Sequence, residues 1–454
     1  MKRPITYLTF AIFAASSLCA QENRQWTLED CINYAIEKNI QLQQNKISLQ
    51  ESEVDVKTAK AALFPNLSFS TNQSIVNRPY QENSSMVSGS EIINSNKKTT
   101  YNGNYGLNSQ LTIWNGNKNY NNIKQQKINR KIAALTVDQT ANSLEEQITQ
   151  LYIQILYANE SVSINKNTLE VSHAQYERGT EMLKAGSISK ADLAQLSAQV
   201  SSDQYQLVTA QSTLQNYMLQ LKQLLEIENE EDMSIAMPNL KDNSVITPLP
   251  SKSDIYNVAL ASRPEIESGK LNIQNSDLSI SIAKAGYYPT ISLSASSTTN
   301  HASSSEDSFH DQLKFGWNNT IGLNLSFPIF SNRSTKSAVE KAKFQREYYE
   351  LYLIDNQKTL YKTIESLWLD ARNAQQQFEA AASKLESNQT SFDMVSEQFN
   401  LGMKNIVDLL TVKNNLLSAQ QQKIQAKYMA ILNRTLLQFY AGESPIKSLE
   451  GDTK

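Results

Sequence analysis

Two hydrophobic periods alternate along this chain, and they do so twice in the same order. Apolar positions recur at helical spacing over residues 26–38 and again over 40–64, where Pro65 ends the run because its ring cannot continue a helix. Thr27, three residues before Asp30, is the predicted N-cap of the first helix. Directly after Pro65 the period drops to two: Leu67 and Phe69 alternate with Asn66, Ser68 and Ser70. In a return strand, Tyr101, Tyr105, Leu107, Leu111 and Ile113 alternate with Asn102, Asn104, Asn108, Gln110 and Thr112. Helical spacing then resumes over 117–184 without a proline, which predicts a helix about 100 Å long at about 1.5 Å per residue. Gly186 marks the turn into a returning helix over 190–225.

The second half repeats this plan. Ala35-Ile36 recurs as Ala259-Leu260, and Ala59-Lys60-Ala61 as Ala283-Lys284-Ala285, both 224 residues on. Gly186 and Asp192 recur as Gly402 and Asp408, 216 residues on, so the second repeat is eight residues shorter between Pro289 and Phe327. A short helix capped by Ser253 runs to Ser262, and a helix over 264–288 stops at Pro289. Ile291 and Leu293, then Ile321, Leu323, Leu325, Phe327 and Ile329, alternate with polar residues. A second long helix over 334–401 turns at Gly402 into a helix over 407–440. The expected organisation is a leader over 1–20, a first repeat over 21–225 with its hairpin at about 66–114, and a mixed linker over 226–252. A second repeat over 253–441 with its hairpin at about 290–330 and a mobile tail over 442–454 complete it.

Each of the four strands presents one apolar or aromatic face and one polar face, as a transmembrane barrel strand does. The loops between them, over 79–99 and 301–316, are rich in Ser and Asn, and Tyr101, Trp114, Trp317 and Phe330 stand near strand ends like the aromatics of a barrel girdle. Four strands cannot close a barrel, and open edges are not tolerated in lipid. The chain must therefore share a barrel with copies of itself: two would give eight strands and a filled interior, three would give twelve and a water-filled lumen. The rival readings are a surface-anchored helical rod or adhesin without a lumen, and a soluble binding module whose sheet packs on its helices.

Composition narrows the function. A net charge of −3 offers no basic face for nucleic acid. Lys2 and Arg3 before the apolar stretch 5–15, with Ala20 before Gln21, read as an export signal. Cys19 opens a lipoprotein alternative, against which stands the bulky Leu18 before it. Beyond Ala20 there is no apolar run long enough for a membrane helix, and Cys31, left alone, reads as a packed thiol. Glu228, Glu230, Glu231 and Asp232, followed by Pro238, Pro248 and Pro250, break the helical pattern between the repeats. His173, His301 and His310 have no partners at ligand spacing, and neither a phosphate loop nor a Ser/His/Asp order is present. The expectation is no metal, no cofactor and no catalysis.

The ordered, duplicated motifs resemble the TolC family of outer-membrane export channels. The resemblance is carried by Trp26-Thr27-Leu28-Glu29-Asp30-Cys31 with Ala35 and Asn39, and by the junctions Phe64-Pro65-Asn66-Leu67 and Tyr288-Pro289-Thr290-Ile291. The strand ends Leu111-Thr112-Ile113-Trp114-Asn115-Gly116 and Phe327-Pro328-Ile329-Phe330, and the stretch from Phe399 to Leu410, carry the rest. The resemblance implies a mixed α+β, mostly α fold. It also implies a homotrimer whose twelve-stranded outer-membrane β-barrel, four strands per chain, continues into a long periplasmic α-helical barrel with a closed end. The implied partners are a periplasmic adaptor (membrane fusion) protein, an inner-membrane RND or ABC transporter, and outer-membrane lipid. The implied periplasmic gate is Phe399, Lys404, Asp408 and Thr411, with Lys404 in place of an Arg fork and Thr411 in place of a second Asp. Gly186 and Gly402 mark the implied adaptor-docking turns, and Pro65 and Pro289 the helix-to-strand junctions.

The residues also admit a plainer account. Gly186 and Gly402 fit left-handed C-caps, and Asp192 suits the first turn of a helix, where the dipole stabilises a carboxylate. Asp408 fits that role and also a ring of carboxylates repeated about a symmetry axis, which would attract cations.

Overall fold

The computed structural model describes residues 25–80, 84–88, 91–95, 98–228, 233–238 and 240–446. The signal segment, Cys19, Glu230, Glu231, Asp232 and the tail beyond 446 lie outside the described residues. In chain order the elements are β1 (Gln25–Trp26), α1 (Leu28–Lys38), α2 (Ile40–Ala61), β2 (Asn66–Asn77), β3 (Ser84–Ser88), β4 (Glu91–Ser95), β5 (Thr99–Trp114), α3 (Lys118–Lys184) and α4 (Lys190–Leu224). They continue as β6 (Ser234–Ile235), α5 (Lys252–Ser262), α6 (Pro264–Lys284), β7 (Thr290–Ala302), α7 (Phe309–Phe315), β8 (Asn318–Ser326), α8 (Ser334–Asn400) and α9 (Ile406–Tyr440). The two 67-residue helices are α3 and α8, and no described helix is apolar enough to cross a membrane.

The duplication is written in the backbone. Every described residue with positive φ has a counterpart 216 positions away: Gly116 with Asn332, Asn117 with Arg333, Gly186 with Gly402, and Glu226 with Gly442. The chain divides into two compact units, and each draws on both repeats.

One unit, residues 40–142 and 252–365, holds the four-stranded antiparallel sheet in the order β2-β5-β7-β8. Its two hairpins join through β5 and β7, with Leu107 opposite Ser297 and Leu111 opposite Leu293. A bulge between Thr112 and Trp114 brings Trp114 opposite Ile291, and so onto the apolar face. Three local features differ from the sequence expectation. The segment expected as a plain loop over 79–99 contains the antiparallel hairpin β3–β4. The segment expected as a plain loop over 301–316 contains α7, which Ser308 opens by accepting the Asp311 amide. Strand β8 ends at Ser326, because Pro328 has no N–H to give the ladder.

The other unit comprises the described residues of 1–39, 143–251 and 366–454. Thr27 caps α1 in a full capping box with Asp30. Gln25 and Trp26 pair in parallel with Ser234 and Ile235, so Trp26, the first residue of the helical run 26–38, lies in a strand and α1 starts at Leu28, directly after its predicted cap. Likewise α5 begins at Lys252, which places Ser253 inside its first turn. The core gathers Cys31, Ile32 and Ala35 of α1, Ile148, Tyr152 and Ile155 of α3, Leu221 of α4, Phe378 of α8, and Ile424 and Ile431 of α9. The Tyr152 hydroxyl donates to the Ala236 carbonyl (2.8 Å), and Asp242 takes Lys423 (2.7 Å) and Lys427 (3.1 Å), which fastens the linker to α9. Burial pushes the Asp242 carboxyl up, but the two ammonium groups outweigh it and hold it below the ordinary value.

Burial, reinforced by neighbouring Asp30, pushes the Cys31 thiol up to about 12. At pH 8 the folded chain then offers essentially no thiolate at this position. We expect a thiol-specific alkylating reagent to leave Cys31 unmodified in the native protein and to label it on denaturation. Labelling of the folded protein would contradict this packing.

Candidate functional site

Two surfaces carry chemistry, and the first is the sheet. Its outward face is a continuous apolar band: Leu67 and Phe69 of β2, Leu107 of β5, Leu293 of β7, and Ile321, Leu323 and Leu325 of β8 all stand exposed. The opposite face is polar and hollow. A cavity of about 700 Å³ lies on it, lined by Ser70, Asn72, Asn104, Asn108, Thr298, Asn300 and Asn318 among others. Asn72, Asn104 and Asn300 lie in one row across three strands. The sheet therefore has one wettable face, which carries the cavity, and one greasy face. Among the described residues the outer edges of β2 and β8 have no partner strand.

The helix-to-strand junctions have one construction in both repeats. At the end of α2 the chain tightens, with the Leu63 and Phe64 amides donating to Lys60 and Ala61 carbonyls (3.1 and 2.9 Å), and Pro65 then turns it into β2. At the end of α6 residues 285–287 form a 3₁₀ turn, the Tyr288 amide donates to the Ala285 carbonyl (3.0 Å), and Pro289 leads into β7. Proline at each place blocks further helix and favours the extended residue before it.

The second surface is formed by the two turns at the far ends of the long helices. Gly186 (φ +74°) and Gly402 (φ +77°) occupy the left-handed position of two identical Schellman caps. In the first, Gly186 N–H donates to Leu183 (3.0 Å) and Ser187 N–H to Met182 (2.9 Å). In the second, Gly402 N–H donates to Phe399 (2.9 Å) and Met403 N–H to Gln398 (2.8 Å). Nothing lies within 4 Å of a Cβ added at either glycine, so backbone conformation alone calls for glycine here.

The two acidic residues beyond these turns have diverged. Asp192 completes a capping box: its Oδ2 accepts from the Ser189 amide (2.9 Å) and hydroxyl (2.8 Å), while Ser189 Oγ accepts the Asp192 amide. Those bonds, the backbone one first, hold its carboxyl below the ordinary range. In the second repeat the Asn405 carboxamide caps α9 by accepting the Asp408 amide (2.9 Å), and the Asp408 carboxylate makes no return bond to the cap. It lies instead 3.6 Å from Lys404, the two side chains being 42% and 43% exposed. Such an exposed pair contributes only about 0.3–0.5 kcal/mol.

The other predicted gate residues sit differently. Phe399 is 4% exposed, packed with Leu196, Ile406 and Leu409 in the core of the tip, so the chain's own interior holds this aromatic ring. The Thr411 hydroxyl donates to the Val407 carbonyl of its own helix (2.7 Å). Among the four, Lys404 and Asp408 are brought together at the surface.

One cluster went unread in the sequence. Lys413 Nζ contacts Asp203 Oδ2 and Ser172 Oγ, Ser172 also donates to Asp203, and both charged side chains are 3% exposed. Gln199 Nε2 donates to the other Asp203 oxygen (2.9 Å). Removing one partner of such a buried pair costs about 3–5 kcal/mol. The signal was available: Lys413 interrupts the apolar stripe Ile406, Leu409, Leu416, and Asp203 interrupts Leu196 and Leu207.

A sheet with one lipid-compatible face, joined in the chain to helices of 67 residues, is the build of an outer-membrane protein. The chain matches the outer membrane efflux protein family over residues 31–226 and 255–443, and it belongs to that family. Outer membrane protein TolC of Salmonella enteritidis is 23% identical over 302 residues, which is 64% of this chain and 59% of that one, so the match spans less than two thirds of that relative. Outer membrane efflux protein BepC of Brucella suis is 21% identical over 434 residues, 93% of this chain and 88% of that one. The solved structure of CusC, described in terms of transmembrane channel formation, shares the fold with a TM-score of 0.78 at 17% identity over 91% of both chains. The protein is accordingly an outer-membrane protein of the efflux family.

The unequal caps give a pH prediction. The Asp192 carboxyl is lowered on folding, so its contribution is complete above the ordinary carboxylate value and is lost as pH falls through the lowered one. Below about pH 4 the first turn of α4 should exchange its amide hydrogens faster, relative to intrinsic rates, while the Asn405-capped turn of α9 keeps its protection. Equal loss at both turns would show that the caps are equivalent.

Proposed function

We propose that three copies of this chain close a twelve-stranded barrel and form a passive duct across the outer membrane, opened at the tip by partner proteins. The observation that carries this reading is the sheet: hollow and polar on one side, apolar on the other, and open at both edges. Pairing β8 of one protomer with β2 of the next satisfies both edges and encloses the polar hollow as a lumen. The helices attached to those edge strands support the same closure. Ile40, Ile47 and Val54 of α2 are more than half exposed at a seven-residue spacing, and Phe344, Tyr348 and Leu351 of α8 are more than half exposed at alternating steps of four and three. Closure makes these two stripes neighbours, and heptad-spaced apolar residues on adjacent helices pack as knobs into holes.

In this reading the helices form the periplasmic barrel, with the mixed segment of 226–252 set between the two repeats. Lys404 and Asp408, each present three times about the axis, form the charged constriction, which Phe399 braces from inside and Thr411 flanks. The turns at Gly186 and Gly402 receive the adaptor, which links the duct to an inner-membrane RND or ABC transporter. Leu401, Met403 and Val407 are exposed around Gly402, whereas the first turn offers Ala185, Ser187 and Ala191, so the second turn has the apolar surface for docking. Energy comes from the inner-membrane partner, and the substrates are those it delivers.

The test is single-channel conductance of the detergent-extracted protein beside a Lys404→Ala/Asp408→Ala double variant. A small, cation-preferring conductance that rises in the double variant is expected. An unchanged conductance would move the constriction elsewhere, and no conductance from either protein would overturn the duct.

A further inference from the structure

The buried charge cluster above the tip lies outside the constriction and outside the docking turns. It joins helices of both repeats: Ser172 of α3 and Asp203 of α4 come from the first pair, Lys413 of α9 from the second. Both Asp203 oxygens are engaged, one by Lys413 and Ser172 and the other by Gln199. The positions related by the repeat are Ser197 and Ala419, which carry no charge, so the tie exists in one direction only. Burial pulls the Lys413 amine down from its ordinary value, and Asp203 partly restores it.

We propose that Lys413, anchored by Asp203 and Ser172, is the positioning residue that sets the register of the second helix pair against the first and thereby fixes the depth of Lys404 and Asp408 at the tip. The inference rests on the duct reading of that tip. Apolar packing alone leaves register loosely defined, because a heptad stripe offers near-equivalent fits one step along. The stripe here is Ile406, Leu409 and Leu416, and the groove beside it is imperfectly filled. A cavity of about 110 Å³ borders Lys413, lined by Ile164, Val171, Phe392, Leu416 and Leu417 among others. A lone ammonium inside an apolar seam has one satisfied position, as a buried polar residue does in a coiled coil. Asp408 lies five residues from Lys413 on the same helix, so a slip at one is transmitted to the other.

The contrast with Lys404 and Asp408 gives the tie its place in gating. That pair is open to water and separates at little cost, whereas parting Lys413 from Asp203 strands a charge that is 3% exposed. Opening therefore occurs beyond the tie, with the tie intact.

The test compares the full-length detergent-extracted protein with Lys413→Met, with Lys413→Met/Asp203→Leu, and with Lys413→Gln/Asp203→Asn, the last kept in case the apolar pair does not fold. Thermal midpoint, single-channel conductance and the rate of trypsin cleavage after Lys404 are read for each. Lys413→Met alone should lower the midpoint by leaving Asp203 unpaired. Either neutral pair should recover the midpoint, yet show resting conductance and Lys404 cleavage several-fold above the parent. Parental conductance and cleavage in a stable neutral pair would overturn the proposal. So would a fall in the midpoint with neither readout changed, since that is what a purely structural contact gives. A parent that does not conduct would sink the duct reading, while the cleavage rates would still decide the register role.

Discussion

A backbone amide that cannot reach water must find another partner, and the outer edges of β2 and β8 expose two rows of such groups within an otherwise lipid-compatible sheet. Much of the molecule follows from that constraint. It explains why a chain of this length spends only four strands on a membrane sheet, and why the helices leading from the edge strands keep apolar stripes on their surfaces. A soluble sheet would cover its apolar face with helices, but here Phe69, Ile321 and Leu325 are left bare. In the proposed trimer, neighbouring copies complete this sheet at both edges.

Duplication supplied the parts, and divergence at a few residues differentiated them. The left-handed positions recur in pairs across the repeats, down to Glu226 occupying in one repeat the conformation Gly442 occupies in the other. Against that conserved geometry the chemical differences stand out. Asp192 is committed to its cap, Asn405 takes over capping in the second repeat, and Asp408 is left free to meet Lys404. Buried charge follows the same logic, since the cluster tying α3 and α4 to α9 breaks the equivalence of the two helix pairs.

The sequence made the elements legible where a period or a stereochemical stop governs them locally. Pro65 and Pro289 end helices from their own covalent structure, and the strict alternation around Leu107 and Leu323 needs no tertiary knowledge. What escaped was set by distant partners. Gln25 and Trp26 form a strand only because Ser234 and Ile235 lie beside them, and periodicity counts Trp26 with the helix that follows. Helix α7 is too short to show a period and depends on the Ser308 cap. Phe399 could be matched to a gate by its place in a motif, but its burial depends on Leu196, two hundred positions earlier and on another helix. Asp203 and Lys413 were visible as charges in apolar stripes, and only the fold shows that each interruption answers the other.

Closure of the sheet by copies of the same chain is the claim on which the functional reading turns. The most direct measurement is native mass spectrometry of the protein extracted in mild detergent. Particles of three chains are predicted, with no stable monomer until the detergent denatures them. A folded monomer, or a dimer as the sole assembly, would contradict a twelve-stranded barrel and the duct built on it.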